Sequence, residues 1–286
     1  MIKLKAPAKV NLTLEVLRRR LDGYHDIRSI MQAISLYDDI SIRPNSGLEI
    51  YCDLPGWQEN LSVVSRAACL MQELAGGSRG AVIEIQKRIP LMAGLGGDSS
   101  DAAAVLRGLN KLWDIHLTRW QLAEVAARLG SDVTFFLYGG TALAEGRGEV
   151  VTPLPALPHH WVVVLLPPVV REPGKTGRLY QSLNESRFTE GQISDKLLGI
   201  ITSGGQVTPA SFYNIFESVV DLGFEYLERY RWHFLESGAQ RIRLAGSGPA
   251  FFSLLRDREE AEEIYKKLLG KGFEAYLTDT LKGVED

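Results

Sequence analysis

The stretch Pro90-Leu91-Met92-Ala93-Gly94-Leu95-Gly96-Gly97-Asp98-Ser99-Ser100-Asp101-Ala102-Ala103-Ala104 joins a glycine-rich turn to a helix-forming run. Gly94, Gly96 and Gly97 let the backbone turn tightly and bring bare N–H groups close to an anion. Ser99, Ser100 and Asp101 are good N-cap types, and residues 102–106 are good helix formers, so a helix is expected to begin there. A loop that feeds a helix N-terminus binds phosphate through its N–H groups and the helix dipole. A plain connecting turn is the alternative; three glycines, two serines and an alanine-rich helix together favour phosphate. The loop is not of the Walker type, because no Gly-Lys-Ser/Thr follows at the required spacing. Gly174-Lys175-Thr176 does follow a strand-like run, but Val169 stands where that motif needs glycine, and the match reads as chance. Gly94-Leu95-Gly96-Gly97 also does not fit GxGxxG, and no strand–helix–strand unit with a distal acid surrounds it.

Outward from the loop, the 286 residues suffice for one large domain or two modest ones. Apolar residues make up 45% and charged residues 23%, a globular balance. With 35 acidic against 32 basic residues the formal net charge is -3, which argues against a nonspecific nucleic-acid binder. Any phosphate must then be held by a local device. Cys52 and Cys69 are too few for a disulfide scaffold, and no Cys/His cluster has zinc spacing. The N-terminus lacks a signal-peptide pattern, and the longest apolar run, 161–168, is far short of the roughly 20 residues that span a bilayer. A cytoplasmic protein without membrane or nucleic-acid partners is expected.

Alternation at Val10, Leu12, Leu14 and Val16, at Ile30, Ile34 and Leu36, at Ile40 and Ile42, and at Ile83 and Ile85 predicts strands. A helical period covers 60–74 and closes at Gly76-Gly77, and Thr118 with Gln121 forms a capping box for a helix ending at Gly130. Pro153, Pro155 and Pro158 mark a boundary, giving an N-terminal domain over 1–153 and a C-terminal domain over 154–286. Beyond the boundary come a strand over 161–166, helices around 209–222 and 258–269, and a strand over 241–245. The last meets the turn Gly246-Ser247-Gly248, and a strand over 250–255 returns from it. Without regular βαβ alternation, the class is α+β.

The loop from Ala93 to Ala103 resembles the ATP loop of the GHMP kinase superfamily. Ala6-Pro7-Ala8-Lys9-Val10-Asn11-Leu12 resembles its first motif, and 244–252 its third, in the expected order. The resemblance implies the two-domain GHMP kinase fold with the active site in the cleft between domains. It also implies ATP as phosphoryl donor with Mg2+. Pro7 to Leu14, then Arg19-Arg20-Leu21-Asp22-Gly23-Tyr24-His25, Ser29-Ile30-Met31-Gln32 and Leu36-Tyr37-Asp38-Asp39, are similar to the branch acting on 4-diphosphocytidyl-2-C-methyl-D-erythritol in the non-mevalonate isoprenoid route. That branch phosphorylates the 2-hydroxyl. Asp98 departs from the branch, whose loop more often has a further glycine. A carboxylate there repels phosphate unless it points outward or toward Mg2+.

Phosphoryl transfer needs positioning, charge neutralisation and a group that takes or orients the hydroxyl proton. Asp132, at the start of a run over 131–138 that reads as short helix or buried strand, is the candidate base. The apolar wall of Val133, Phe135, Phe136 and Leu137 can raise a carboxylate pKa. On the residues alone an ordinary N-cap is the favoured reading, and the resemblance reverses this toward catalysis. Lys9, placed between Pro7 and a strand beginning at Val10, reads either as an exposed strand-edge lysine or as the ammonium that bridges Asp132 and the acceptor hydroxyl. Asn11, on the same strand face, can bind the acceptor. Tyr24 and His25 at a turn tip can stack on a base and bond a pyrimidine edge, or be ordinary loop residues. In the resembled branch this pair recognises cytidine, and Tyr180 matches a second aromatic there. The ATP loop is expected to contact nucleotide through Pro90, Leu91, Met92, Ala93, Gly94, Leu95, Gly96, Gly97, Asp98, Ser99 and Ser100. Asn214 and the 246–248 turn shape the site or are a helix-face amide and a tight hairpin. Arg18, Arg19 and Arg20 read as a solvated loop, His159, His160 and His233 lack metal spacing, and the five tryptophans read as packing. Two rival readings stand: another acceptor on the same fold, as in homoserine or phosphomevalonate kinases, and a nucleotide-binding module without transfer. Asp22-Gly23-Tyr24-His25 argues against the first, and Lys9 with Asp132 against the second.

Overall fold

The alternating N-terminal segment folds as one long hairpin, β1 (Ile2–Arg19) and β2 (His25–Asn45), in register from Ile2 opposite Ile42 to Arg19 opposite His25. The structure, a computed structural model, describes residues 1–55, 57–58 and 62–284. Ladder bulges fall between Pro7 and Ala8, between Asn11 and Thr13, and between Val16 and Arg18. Each extra residue bends the strand and re-aims its side chains. Ala8, Val10 and Leu12 enter a core shared with the second half of the chain, whereas Lys9 and Asn11 turn to the opposite face.

The long β2 serves two neighbours. Its distal half pairs with β4 (Gly80–Gln86), which carries the parallel edge strand β3 (Leu48–Cys52), and its proximal half pairs with β5 (Thr141–Gly146) and through it β6 (Val150–Pro153). Helices α1 (Val63–Leu74), α2 (Gly97–Leu112), α3 (Arg119–Ala127) and the single turn α4 (Phe135–Tyr138) bury their apolar faces on this sheet. α1 is capped by the Ser62 side chain; the predicted helix start at Asn60 and Leu61 lies outside the described residues. The Thr118–Gln121 capping box forms as expected, but α3 stops at Ala127 rather than Gly130.

A second sheet, ordered β11-β7-β10-β9, is antiparallel throughout and comprises β7 (Trp161–Leu166), β9 (Arg243–Leu244), β10 (Phe251–Leu255) and β11 (Glu274–Asp279). It is flanked by α5 (Lys175–Gln181), α6 (Gln192–Thr202), α7 (Leu227–Glu236) and α8 (Arg258–Gly270). Two layers of mixed sheet and helix make the α+β class of the sequence reading correct.

The expected helix around 209–222 is absent. Three short 3-10 turns and the two-residue strand β8 (Tyr213–Asn214) occupy it, and β8 pairs with β1. Asn214 stays extended because its carboxamide accepts from Phe216 N and donates to Leu244 and Gly246 carbonyls, bonds a helical residue cannot make. The strand predicted over 241–245 shortens to Arg243–Leu244, since Arg241 takes a left-handed φ of 57°. Of the tryptophans, Trp113 is buried, but Trp120 and Trp232 are exposed and do no core packing.

The final segment returns to the first sheet. Thr280 bridges Ile34, Leu281 N–H donates to Ala33 O at 2.9 Å, and Val284 N–H donates to Tyr138 O at 3.3 Å. No helix among the described residues is long and apolar enough to cross a membrane.

Candidate active site

All three glycine-and-lysine motifs meet at one cleft of ≈ 660 Å³. Lys9 lies within β1, not ahead of it, and at 4% exposed it is buried rather than an exposed edge lysine. Its N–H donates to Leu95 O at 2.9 Å, which holds the glycine loop alongside the strand. Its ammonium donates to Asn11 Oδ1 at 2.8 Å and sits 3.3 Å from Asp132 Oδ2. Asn11 in turn donates to Ser29 Oγ at 2.8 Å, and Ser29 donates to Thr13 O, so the amide orientation is fixed from behind. Asp132 stands in the turn ahead of α4, with its side chain about one-third exposed to the cleft.

The loop turns on Gly94 (φ 84°) and Gly96 (φ 76°), and Gly96 itself is the N-cap of α2. This corrects the expectation of a side-chain cap at Ser99, Ser100 or Asp101. A left-handed glycine begins the helix earlier, at Gly97, and no side chain caps it. The N–H groups of the first turn of α2 are thereby left for another acceptor, the arrangement that receives an anion. Pro90, Leu91, Met92, Ala93, Gly94, Gly96, Gly97, Asp98 and Ser99 line the cleft. Leu95 and Ser100 do not; both are buried, and Ser100 Oγ has no partner.

Asp98 projects outward and is drawn to Lys87 at 3.3 Å. Lys87 is buried and held by Asp38 (2.7 Å) and Asp101 (2.6 Å). Burial opposes its charge, but Asp101 and Asp38, with Asp98, outweigh burial and keep it protonated well beyond the ordinary lysine range. A buried cation thus offsets the carboxylate that departs from the resembled loop.

The second glycine turn, 246–248, packs directly on the first. A methyl group on Gly94 would stand 1.9 Å from Ala245 O, and one on Gly246 would stand 2.9 Å from Gly94 O and 3.3 Å from Lys9 Nζ. Gly94→Ala is therefore expected to force the turns apart, costing ~1–3 kcal/mol for the left-handed alanine alone. The measurable outcome is a lower Tm together with a raised KM for nucleotide; an unchanged KM would count against the contact.

At the far end of the cleft His25 stacks on Tyr180, with centroids 5.1 Å apart and planes at 20°. Phe188 meets the His25 edge and Phe216 the Tyr180 edge. Burial, with a smaller push from Arg19, lowers the His25 pKa, so the imidazole is neutral at pH 7 and can both donate and accept. Burial also raises the Tyr180 phenol, which stays protonated. Tyr24 diverges from His25: it is exposed, and the Arg147 guanidinium lies 4.9 Å over its ring. The stacked pair is formed by His25 with Tyr180, across the two halves of the chain.

Arg18, Arg19 and Arg20 do not line the cleft. Arg18 and Arg20 pair with Asp26 at 2.5 and 2.7 Å and brace the hairpin turn. His159 contacts Asp279, His160 contacts Pro158 O, and no cluster of three metal-ligating side chains exists among the described residues. Two cleft cations were not anticipated. Arg147 stands between Gly146 and Gly148 at a hairpin tip, a signal overlooked because no motif contains it. Lys175 belongs to the Gly174-Lys175-Thr176 triplet set aside for its spacing.

The family model described as GHMP kinases N terminal domain matches residues 62–140, and that described as GHMP kinases C terminal matches 200–275. The chain is 53% identical over 281 residues to the 4-diphosphocytidyl-2-C-methyl-D-erythritol kinase of Dehalococcoides mccartyi (strain ATCC BAA-2266 / KCTC 15142 / 195), covering 98% of this chain and 99% of that one. It is 37% identical to the kinase of that name from Alkaliphilus metalliredigens, over 93% of this chain and 92% of that one. A crystal structure of 4-(cytidine 5'-diphospho)-2C-methyl-D-erythritol kinase superposes with a TM-score of 0.81 at 33% identity, covering 98% and 99% of the two chains. Homoserine kinase from Cytophaga hutchinsonii shares the fold, with a TM-score of 0.78 at 19% identity over 99% of this chain and 95% of that one. The chain is an enzyme of the GHMP kinases and belongs, within them, to the 4-diphosphocytidyl-2-C-methyl-D-erythritol kinase family.

Proposed function

We propose that this kinase transfers the γ-phosphoryl group of ATP to the 2-hydroxyl of 4-diphosphocytidyl-2-C-methyl-D-erythritol, giving the 2-phosphate and ADP in the non-mevalonate isoprenoid route. The observation that carries the reading is the Lys9–Asp132 contact of 3.3 Å, placed in one cleft with an uncapped helix N-terminus and an aromatic platform. The bare N–H groups of residues 94–99 and the dipole of α2 receive the ATP phosphates. The oxygens of Asp98 and Ser99 line the cleft and would hold Mg2+ brought with ATP, where the ion would neutralise phosphate charge.

Asp132 accepts the proton of the attacking hydroxyl, and Lys9 lowers the cost of the alkoxide character that develops on it. Asn11, oriented by Ser29, fixes the acceptor carbon chain. Cytosine lies against the His25–Tyr180 platform, where a neutral imidazole bonds its edge, and Tyr24 with Arg147 closes the mouth. Residues 1–153 act as the ATP-binding domain and 154–286 as the second domain, whose Tyr213–Asn214 strand nevertheless joins the first sheet.

A panel of alcohols with ATP tests the reading. Turnover of the cytidyl substrate above homoserine and phosphomevalonate is the expected result, and preference for either rival would overturn it. A separate variant isolates the base platform: His25→Ala is expected to raise KM for the cytidyl substrate about tenfold, the loss of roughly one stacking contact, with KM for ATP unchanged.

A further inference from the structure

Lys175 opens α5, lines the cleft and is 6% exposed, yet it has no part in the steps above. Its ammonium donates to Ser247 O at 2.8 Å and to Gly248 O, and lies 4.5 Å over the Phe224 ring. Next to it Thr176 Oγ1 meets Ser247 Oγ at 2.7 Å. With Asn214 holding the Leu244 and Gly246 carbonyls and Gly248 N–H holding Ala245 O, each carbonyl from 244 to 248 is tied back into the protein. Among the described residues the Gly246 and Ser247 N–H groups have no acceptor, and both residues line the cleft. The turn therefore presents donors only, facing the glycine loop.

The ammonium is also unmatched in charge. No carboxylate pairs with it among the described residues, and Glu172 is engaged by Arg178 at 2.7 Å. The other charges around it, Arg171 and Arg178, are positive, Lys9 lies beyond the turn, and neither residues 246–248 nor Phe224 brings a titratable group. Burial of a lone cation is costly unless an anion joins it.

We infer that Lys175 is a positioning residue for phosphoryl transfer: it draws back the Ser247 and Gly248 carbonyls so that the Gly246 and Ser247 N–H groups meet a ligand phosphate, whose charge then matches its own. The inference rests on the cleft being the polyphosphate site. Burial, then Arg171 and Arg178, lower the Lys175 pKa to about 7 in the free protein. An arriving phosphate reverses that shift, so at pH 8 binding takes up a proton.

Calorimetric titration of the full chain at pH 8, in two buffers of different ionisation enthalpy, counts that proton. The probes are Mg2+ with a non-hydrolysable ATP analogue and, separately, cytidine diphosphate. Wild type is expected to take up about one proton with at least one probe. Lys175→Arg should bind with no uptake, because arginine is already charged. Lys175→Met should lose uptake and fall about 10- to 100-fold in kcat/KM, mainly through KM. Absence of uptake in wild type, or undiminished uptake in Lys175→Arg, overturns the inference whether or not the methionine variant folds. Failure of wild type to bind either probe overturns instead the cleft reading on which it rests.

Discussion

Replacing Asp132 with Asn is expected to lower kcat by about 10²- to 10⁴-fold while leaving KM for ATP near its wild-type value. The substitution keeps the shape of the side chain and removes its capacity to take a proton. Lys9 stays anchored, because its bond to Asn11 at 2.8 Å does not involve Asp132. The ATP loop stays in place as well, since its register depends on the Lys9 N–H bond to Leu95 O. Loss in kcat without loss of nucleotide binding is the signature of a group that acts only as the proton moves. Steady-state kinetics beside nucleotide titration gives both numbers, and a kcat within tenfold of wild type would remove Asp132 from the mechanism.

Lys87→Met is expected to destabilise the fold by ~3–5 kcal/mol at neutral pH, because it strands buried carboxylates without their cation. Asp38 and Asp101 are both almost fully buried around one ammonium. They do not share it equally. Asp38 also accepts N–H bonds from Arg88 (2.5 Å) and Ile89 (2.8 Å), whereas Asp101 Oδ1 has no partner. Burial pushes the Asp101 pKa well above the ordinary carboxylate range; Lys87 pulls it down only in part, and the Asp38 charge adds to the rise. A carboxyl whose folded pKa exceeds its unfolded value favours the fold below the unfolded pKa and loses that contribution as pH rises through the folded one. Without Lys87 the penalty is greatest at neutral pH and shrinks on acidification toward the carboxylate range. Urea unfolding of both proteins at pH 7.5 and pH 5 measures this. A difference below 1 kcal/mol, or one indifferent to pH, would contradict the assignment.

The elements most legible in the sequence were those whose signal is local. Strand alternation around Val10 to Val16, the Thr118–Gln121 box and the glycine loop each depend on a few neighbouring residues, and each formed. What the sequence hid depends on partners far along the chain. Lys9 looks like an edge residue until the loop at Leu95 covers it. Asn214 lies in a stretch with helical periodicity, but carbonyls some thirty residues later claim its amide. The cap of α2 was misplaced because Gly96 in a left-handed turn displaces the serines that would otherwise cap. Lys175 was dismissed by the spacing rule of a motif to which it does not belong, and Arg147 had only two flanking glycines to mark it.

The returning C-terminal segment has a consequence for biogenesis. Gly139 and Gly140 leave no room for a side chain because Val284 and Lys282 lie against them, and the Ala33 carbonyl is capped by Leu281. During synthesis, residues 33 and 138–140 leave the ribosome long before residues 280–284 exist. The nascent first sheet therefore waits with an open seam along β2 and α4, its backbone groups exposed to any strand that can pair with them. Closing that seam joins residues nearly 250 positions apart, a contact that forms late and slowly. Quality control by chaperones would act on this interval, and a fusion placed after residue 284 would lengthen it.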